Sequence, residues 1–240
     1  MRIYTDLAEW YPLLTTLDEY AEECTDYREA LLAALGGGPH DLLELGAGAG
    51  HNAYWLGAEF RCTLTDLSPQ MLTLCRRNHP AAEVLQGDMR SLRLGRTFDA
   101  VLVHDALCYL TTRAELRALA ATVAVHLRPG GVAVLAPDDV RESFQSGCDV
   151  GGEDGGPGDD RALRYLEWKW DPDPADDTTI TDYTLVMRTG DALPEVVVDR
   201  HEVCVFPEAA WHEAFQSVGL QLEALPRLGG YPLFRTRAPG

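Results

Sequence analysis

The sequence predicts an α/β fold built on a doubly wound, mostly parallel sheet. Its 240 residues, 46% of them hydrophobic, suffice for one sizeable core. Between residues 41 and 137, short apolar segments alternate with segments of helical spacing, which is typical of a parallel sheet. The run LLELGAGAG at residues 42–50 places a glycine loop directly after an apolar strand. Ligands of such sheets bind at the carboxyl ends of the strands, so the site is expected there.

The individual elements follow from apolar spacing and from the residues that stop it. Residues 4–35 carry apolar side chains at roughly helical spacing and end at GGGP, which predicts one or two helices ahead of the sheet. Ser68 is the expected N-cap of a later helix, with Pro69 at its first position. The predicted strands are 41–45, 60–67, 82–89, 98–107 and 131–137. The predicted helices among them are 51–59, 68–80 and 113–131.

The acidic balance of the chain argues against nucleic acid as a partner. Thirty-eight acids face 20 bases, which gives a formal net charge of −18. Such a surface repels phosphate backbones and attracts cations, amines included, although solubility alone also explains it.

Targeting and metal-binding patterns are not evident in the sequence. No apolar run approaches the ~20 residues that span a bilayer, and the acidic start MRIYTDLAEWYPLL is unlike a signal peptide. A cytoplasmic protein without a membrane partner is therefore expected. Six scattered cysteines lack a CxxC pair, so free thiols are expected rather than disulfides or zinc. His212 and Glu213 are adjacent on a predicted helix and share no face, so no metal site is predicted.

The glycine loop alone leaves the nucleotide open among NAD, FAD and S-adenosylmethionine. Gly46, Gly48 and Gly50 allow a tight turn and close approach of a ligand to the backbone. A dinucleotide site prefers G-x-G-x-x-G, whose sixth position is His51 when counted from Gly46 and Ala53 when counted from Gly48.

Three carboxylates at successive strand ends favour S-adenosylmethionine. Glu44, Asp66 and Asp88 are spaced 22 residues apart, each at the end of a predicted strand. Asp66 can accept hydrogen bonds from both ribose hydroxyls of any adenosine ligand. Glu44 can hold the loop or meet an ammonium or sulfonium group, whereas it would repel the pyrophosphate of NAD. Asp88 can accept from an adenine amino group while Met89 packs on the ring.

Five motifs in order between residues 42 and 137 resemble the class I S-adenosylmethionine-dependent methyltransferases. They are ELGAGAG, TDLSPQML, GDMRSL, FDAVLVHDALCYL and LRPGG. The resemblance implies a seven-stranded Rossmann-like sheet, S-adenosylmethionine as cofactor and S-adenosylhomocysteine as product. The cofactor-binding residues it implies are Tyr11, Glu44, Gly46, Ala47, Gly48, Gly50, Asp66, Leu67, Met71, Gly87, Asp88, Met89 and His104.

The remainder of the chain resembles the small-molecule N-methyltransferases that act on amino sugars. The spacing of Tyr4, Ala8, Tyr11 and Leu14 resembles the lid of that subgroup, and residues 162–237 resemble its second half. That half contains an antiparallel roof over the active site, inserted after the fifth strand, which often forms a dimer contact. The implied partners are a small-molecule acceptor, an amine for preference, and a second copy of the chain. The implied units are a helical lid (1–38), the cofactor-binding core (39–140), an acidic loop with the roof (141–200) and the C-terminal part of the core sheet (201–240).

His104 is the candidate general base. Methyl transfer is an in-line displacement that depends mainly on alignment and exclusion of water, and a base is needed only to free the lone pair of the nucleophile. The ordinary pKa of histidine is near neutral, and His104 ends the fourth predicted strand beside the expected methyl position. A role in merely lining the cofactor stays open. Asp105 is expected to orient His104 or to hold a cationic acceptor.

The predicted substrate-binding residues come from the end of the core and from the roof. Trp168 and Trp170 lie on one face of the strand RYLEWKWDP and can form an aromatic wall against a sugar-like acceptor, although a half-buried strand explains them equally. The full predicted set is Asp105, Tyr109, Asp138, Trp168, Trp170, Tyr183 and His201.

The identity of the acceptor is the least determined feature. The chain departs from the amino-sugar subgroup at His104-Asp105, at Asp138-Asp139 and in the Gly/Asp-rich stretch 148–161, which is expected to be too polar to pack. Three alternatives stay open. They are a small-molecule O-methyltransferase that uses His104 as base, an NAD-type dehydrogenase, and a protein that binds S-adenosylmethionine without catalysis.

Overall fold

Two sheets organise the protein, whose structure is a computed structural model that describes residues 1–226 and 231–240. The strands in these ranges are β1 (His40–Leu45), β2 (Phe60–Asp66), β3 (Glu83–Gln86), β4 (Phe98–His104), β5 (Leu127–Ala136), β6 (Gly147–Gly151), β7 (Arg161–Trp170), β8 (Thr178–Thr189), β9 (Glu195–Cys204), β10 (Leu222–Ala224) and β11 (Phe234–Arg237). The α-helices there are α1 (Tyr11–Leu14), α2 (Tyr20–Leu35), α3 (His51–Leu56), α4 (Pro69–Asn78), α5 (Arg113–His126) and α6 (Glu208–Gln216). Short 3₁₀ turns lie at Arg2–Tyr4, Ala8–Trp10, Gly57–Glu59 and Asp105–Tyr109.

The larger sheet has seven strands in the order β10-β11-β5-β4-β1-β2-β3. The five strands from β1 to β5 pair in parallel, and β11 pairs antiparallel with both β5 and β10. The chain order reverses on either side of β1, so β1 and β4 flank the switch point where ligands of such sheets bind. The predicted mostly parallel, doubly wound sheet is confirmed.

The central strands are buried on both faces, which explains their nearly continuous apolar sequence. Leu43 and Val101 pack into the cluster that includes α5 and α6. Leu42 and Leu102 face the opposite side and pack with Leu31 of α2. Because successive strand residues alternate between faces, one short segment contributes to both core layers.

The fourth strand is shorter than predicted, and its end shapes the site. The sequence predicts a strand over 98–107, but β4 ends at His104. The next residue, Asp105, has φ +27° and begins a 3₁₀ turn. This left-handed region is uncommon for a residue with a side chain. The turn brings the Asp105 side chain back towards His104, whereas a continued strand would direct the two side chains to opposite faces.

Two helices also end earlier than predicted. The helix expected over 51–59 ends at Leu56, because Gly57 takes φ +68° and starts a 3₁₀ turn. The helix expected over 113–131 ends at His126, and the PGG segment that was expected to stop it lies within β5. The segment interrupts the strand, because the pairing of β4 with β5 passes from Leu127 directly to Val132 and Gly130 takes φ +73°.

The second sheet, called the roof below, is inserted between β5 and α6 and has the antiparallel order β6-β7-β8-β9. The prediction of an antiparallel roof after the fifth strand is confirmed. The stretch 148–161, expected to be too polar to pack, begins with residues that form a strand. Cys148 pairs with Trp168 and Val150 with Leu166, because main-chain hydrogen bonds hold β6 although its side chains are exposed.

Residues 1–14, called the N-terminal segment below, lie between the roof and the core sheet. Ile3, Leu7 and Leu13 share one apolar cluster with Leu163 and Leu185 of the roof. In contrast, α2 packs on the core sheet. The proposed division into units 1–38, 39–140, 141–200 and 201–240 stays a prediction, and residues 227–230 of its last unit lie outside the described residues.

Three features bear on partners. Among the residues that the structure describes, no helix combines the length and apolar character needed to cross a bilayer. The same residues hold no group of three or more His, Cys, Asp or Glu side chains placed to bind a metal ion. All six cysteines are free thiols.

Candidate active site

The glycine loop connects β1 to α3 and is held by main-chain contacts. The amides of Gly46 and Ala47 both donate to the carbonyl oxygen of Thr65 at 2.8 Å. Gly46 has φ +75°, and a Cβ atom there would lie 2.2 Å from the Cβ atom of Ala106. Gly48 has φ +54°, so it also occupies the region that favours glycine. The loop therefore passes close under the turn after β4, where a side chain has no room.

The carboxylate of Asp66 is fixed at the end of β2. Its Oδ2 atom accepts from the amide of Gly48 at 2.9 Å, and its Oδ1 atom accepts from the amide of Ser68 at 2.8 Å. Ser68 in turn caps α4 by accepting from the amide of Met71. Burial raises the pKa of Asp66, while the backbone amides oppose that shift. Each oxygen thus keeps a lone pair for a ligand.

Asp88 follows β3 and is paired with a cation that the sequence analysis missed. Nη2 of Arg90 lies 2.6 Å from Oδ2 of Asp88, and the amide of Arg90 donates to Oδ1 at 2.9 Å. Arg90 also pairs with Glu115. The guanidinium lowers the pKa of Asp88. The carboxylate predicted to meet an adenine amino group is therefore already paired with Arg90. Because Arg90 follows Asp88 by only two residues, the sequence did offer a local signal for this pair.

Glu44 lies behind the wall of the site rather than in it. It is buried, and Nδ2 of Asn52 donates to its Oε1 atom at 2.8 Å. Its Oε2 atom is buried and finds no hydrogen-bond partner among the residues that the structure describes. Burial raises the pKa of Glu44 to about 7. Glu44 therefore does not line the cavity, whereas Asn52, which bonds it, does and was not expected from the sequence.

His104 is buried between carboxylates. Its Nε2 atom lies 2.7 Å from Oδ1 of Asp105 and 3.0 Å from Oε2 of Glu23. Burial lowers the pKa of His104, but the two carboxylates outweigh burial and raise it to about 10. The ring is therefore protonated near neutral pH and has no lone pair to accept a proton. This corrects the expectation that His104 is the general base, and no sequence signal pointed to Glu23 on α2.

A cavity of about 490 Å³ lies at the carboxyl ends of β1, β2 and β4. Most of the predicted cofactor-binding residues line it, namely Tyr11, Gly46, Ala47, Gly48, Asp66, Leu67, Gly87, Asp88, Met89 and His104. The cavity is not lined by Glu44, which lies behind Asn52, by Gly50, which caps α3, or by Met71, which lies beside Gly48. The same wall contains further residues to which no sequence motif pointed, namely Tyr20, His51, Asn52, Arg90 and Ala106.

A second cavity of about 260 Å³ lies between this wall and the roof. Both cavities are lined by Tyr4, Tyr11, Tyr20, Asp105 and Tyr109, so they meet along one shared wall. Of the predicted substrate-binding residues, Asp105, Tyr109, Asp138, Tyr183 and His201 line the second cavity.

The roof turns its charged face, not its indoles, towards the second cavity. Tyr165, Glu167 and Lys169 line the cavity, whereas Trp168 and Trp170 lie on the opposite face of β7. Trp168 is 55% exposed. This corrects the expectation of an aromatic wall, because side chains alternate along a strand and the face that points inward is the polar one.

The second cavity is acidic. Burial raises the pKa of Asp138 to about 7, and the nearby Asp105 adds to the shift. Nζ of Lys169 lies 3.6 Å from Oε1 of Glu167 and 3.9 Å from Oδ2 of Asp139. A cationic ligand would meet several carboxylates in this space.

Sequence comparison places the chain near sugar methyltransferases. A family described as a methyltransferase domain matches residues 42–131. The dTDP-3-amino-3,4,6-trideoxy-alpha-D-glucopyranose N,N-dimethyltransferase of Streptomyces venezuelae is 33% identical over 212 residues, 86% of each chain. The dTDP-3-amino-3,6-dideoxy-alpha-D-glucopyranose N,N-dimethyltransferase of Streptomyces fradiae is 29% identical and spans 77% of this chain and 71% of its own.

Solved structures resemble the whole fold. DesVI of Streptomyces venezuelae superposes with a TM-score of 0.79 at 29% identity and covers 92% of each chain. CalS10 of Micromonospora echinaspora, an amino pentose methyltransferase solved with bound S-adenosylmethionine, superposes with a TM-score of 0.76 at 27% identity and covers 91% of each chain.

The first cavity of this chain fits S-adenosylmethionine. The glycine loop presents backbone without Cβ atoms, Asp66 offers carboxylate lone pairs suited to ribose hydroxyls, and the unpartnered Oε2 atom of Glu44 lies behind Asn52. A buried acceptor oxygen without a donor is costly, so a cationic group bound nearby would stabilise it. Asp66, Asn52 and the loop are therefore the residues that would hold the ribose and amino-acid parts.

Proposed function

The chain belongs to the class I S-adenosylmethionine-dependent methyltransferases of the amino-sugar type, and we propose that it methylates the amine nitrogen of a small amino-sugar acceptor. The observation that carries the proposal is the acidic second cavity, which shares a wall with the cofactor cavity. An acceptor held under the roof would reach the cofactor only across that shared wall.

Methyl transfer requires the protein mainly to align the two reactants and to exclude water. The cofactor supplies a methyl group already activated on a sulfonium sulfur and leaves as S-adenosylhomocysteine. Holding two reactants in line contributes up to about 7–11 kcal/mol in well-oriented systems. The N-terminal segment, packed on Leu163 and Leu185, closes the space between roof and core and excludes water there.

Charge favours an amine over a hydroxyl acceptor. An amino sugar approaches as an ammonium ion, which the carboxylates of Asp105, Asp138 and Glu167 attract. A hydroxyl acceptor gains hydrogen bonds from them but no attraction of opposite charges, and it needs a stronger base, a role that protonated His104 does not fill. The dehydrogenase and the non-catalytic alternatives are set aside by membership of a methyltransferase family.

A matched pair of acceptors tests the proposal. The amine is dTDP-3-amino-3,6-dideoxy-α-D-glucopyranose, and its twin is dTDP-6-deoxy-α-D-glucopyranose, which has a hydroxyl at the same carbon. We expect S-adenosylhomocysteine release, followed by mass spectrometry, with the amine only. Release with the hydroxyl twin alone would move the assignment to O-methylation.

We also propose that the outer face of the roof binds a second copy of the chain. Val150, Leu166, Thr184 and Val198 form one row across all four roof strands, with Trp168 in the next row. Val150 is 69% exposed and Val198 64% exposed. A contiguous apolar patch of this kind marks an interface, and one patch facing its own copy satisfies two-fold symmetry.

Light scattering after size exclusion tests the dimer. Leu166→Glu places a charge in the centre of the patch and is expected to give a monomer. Leu193→Glu, in the exposed turn between β8 and β9, is the matched control and should leave the dimer intact. A wild-type monomer at tens of micromolar would overturn this part of the proposal.

A cytosolic location is proposed on chemical grounds. All six cysteines are free, and Cys24, Cys75, Cys108 and Cys204 are buried thiols. Buried thiols are stable in a reducing compartment, which is where such a protein would work. Fractionation of the native host would test this.

A further inference from the structure

A line of hydrogen-bonded side chains runs from the shared wall of the two cavities into the roof. The hydroxyl oxygen of Tyr109 lies 2.9 Å from Nδ1 of His201, and Nε2 of His201 lies 3.0 Å from Oδ2 of Asp199. The hydroxyl of Tyr109 also donates to the hydroxyl oxygen of Tyr4 at 3.0 Å, so its one proton has two acceptors within reach, Tyr4 and His201. Tyr109 lines both cavities, so the outer end of this line meets the place where acceptor and cofactor would face each other.

The partners of His201 determine its tautomer. Asp199 is ionised, because the contacts with His201 and with the amide of Ile3 outweigh burial and lower its pKa. A carboxylate beside Nε2 requires a proton on that nitrogen. Burial lowers the pKa of His201, so the ring is neutral near pH 7 and Nδ1 keeps a lone pair. That lone pair faces the Tyr109 hydroxyl.

His201 is enclosed by groups from every neighbouring element. Glu167 on β7 and Asp199 favour the charged ring, whereas the N-terminal ammonium group disfavours it. The ring of Tyr183 on β8 lies 5.1 Å away between centroids. The titratable or charged groups facing His201 are thus Asp199, Glu167, Tyr183, Tyr109, Tyr4 and the N-terminus of Met1.

From this geometry we propose that His201 accepts the proton of the acceptor ammonium through the hydroxyl of Tyr109. The inference rests on the proposed function, in which the acceptor is an amine. An N–H bond of the ammonium breaks and an O–H bond forms on Tyr109, while the original hydroxyl proton of Tyr109 moves to Nδ1 of His201. The amine lone pair is then free for the methyl group, and Asp199 stabilises the imidazolium.

This route serves repeated methylation as well. Each transfer to a neutral amine yields a new ammonium ion, which must lose a proton before it can react again. His201 itself must release its proton between turnovers, and its lowered pKa makes that release favourable near neutral pH. His104, whose pKa is raised to about 10, lacks this property.

The pH dependence of methyl transfer tests the proposal. With dTDP-3-amino-3,6-dideoxy-α-D-glucopyranose as acceptor, His201→Gln is expected to lose about 10²-fold in kcat/KM at pH 7. Without the internal acceptor, the amine must reach the site already neutral, so kcat/KM should rise tenfold per pH unit and approach wild type near pH 9.5. The Kd for S-adenosylmethionine should stay within twofold, because His201 lies outside the first cavity.

Two further variants guard against a folding artefact. Tyr109→Phe removes one oxygen and keeps the ring packing, and it should show the same rising profile. His126→Gln removes another buried histidine, which bonds the carbonyl of Thr122 on α5, and it should keep the wild-type profile shape.

Three results would overturn the proposal. The first is a loss of kcat/KM in His201→Gln that is the same at every pH, and the second is an unchanged kcat/KM at pH 7. The third is a kcat/KM that rises with pH in Asp138→Asn but not in His201→Gln. Failure of the proposed function looks different, since wild type would then methylate the hydroxyl twin and not the amine at any pH.

Discussion

The first cavity is held by the backbone, whereas the second is built from side chains. In the first, the amides of Gly46 and Ala47 bond Thr65, and Asp66 is fixed by two further amides. In the second, Glu167 and Lys169 project from a roof strand. A site held by the backbone keeps one shape and suits one cofactor. A site built from side chains changes its acceptor through single substitutions while the fold is kept.

The largest effect is expected from adding a side chain to the glycine loop of the first cavity. Gly46→Ala should weaken S-adenosylmethionine binding at least about 10²-fold, because a strained φ alone costs ~1–3 kcal/mol and the new Cβ atom meets Ala106. Isothermal titration calorimetry measures this.

Two control variants separate the contact with Ala106 from the strain of a positive φ. Gly95 shares a positive φ of +69°, but a Cβ atom there would have no atom of the described residues within 4 Å, so binding in Gly95→Ala should stay within threefold. Ala106→Gly added to Gly46→Ala should recover part of the loss. Equal binding by wild type and Gly46→Ala would contradict the loop assignment.

The next effect concerns the carboxylate of the first cavity. Asp66→Ala should weaken cofactor binding about 10–100-fold, since two charge-assisted hydrogen bonds are lost. The acceptor KM at saturating cofactor should change little. Asp41→Ala, at the opposite end of the sheet, is the control, because that carboxylate pairs with Arg61 on the surface. Wild-type affinity in Asp66→Ala would refute the site.

His104 is expected to act on stability rather than on proton transfer. Its folded pKa of about 10 exceeds the unfolded value near 6.5, so its contribution is complete below pH 6.5 and is lost as pH rises through 10. Denaturant unfolding should show wild type exceeding His104→Gln by about 3 kcal/mol at pH 6, with a much smaller gap at pH 10. A gap that is constant with pH would show that the imidazolium is not stabilised there.

The smallest effect separates the two faces of β7. Glu167→Gln should raise the KM of the amine acceptor about 3–10-fold, as expected for loss of one partly exposed charge contact. Trp168→Ala should leave that KM within twofold, because the indole points away from the cavity. Both KM values come from steady-state kinetics. A larger rise of KM in Trp168→Ala than in Glu167→Gln would show that the tryptophans contact the acceptor.

The backbone-held cavity was predictable from sequence because its determinants are local. The glycines, Asp66 and Asp88 sit at fixed offsets from strand ends, so motif spacing located them. Asn52 and Glu23 were missed because they act through tertiary contacts, on Glu44 and His104 respectively.

The side-chain-built cavity was harder to predict for a physical reason. The alternation of side chains along β7 places Trp168 and Glu167 on opposite faces. Because apolar side chains usually face inward, the sequence pattern favours the tryptophans as the face towards the site. The inner face of β7 covers an apolar cluster at Leu163 but a cavity at Glu167 and Lys169, so its inward side chains are polar at that end. The pairing of Asp105 with His104 depended on where β4 ends, and strand ends are the least certain feature of a sequence pattern.

The position of the transferred methyl group tests the proposed N-methyltransferase activity most directly. The protein is incubated with S-adenosylmethionine labelled with ¹³C at the methyl carbon and with dTDP-3-amino-3,6-dideoxy-α-D-glucopyranose, and the product is analysed by carbon–proton correlation NMR. We predict a labelled methyl group on the sugar nitrogen. A labelled methyl group on a sugar oxygen, or an unchanged sugar, would contradict it.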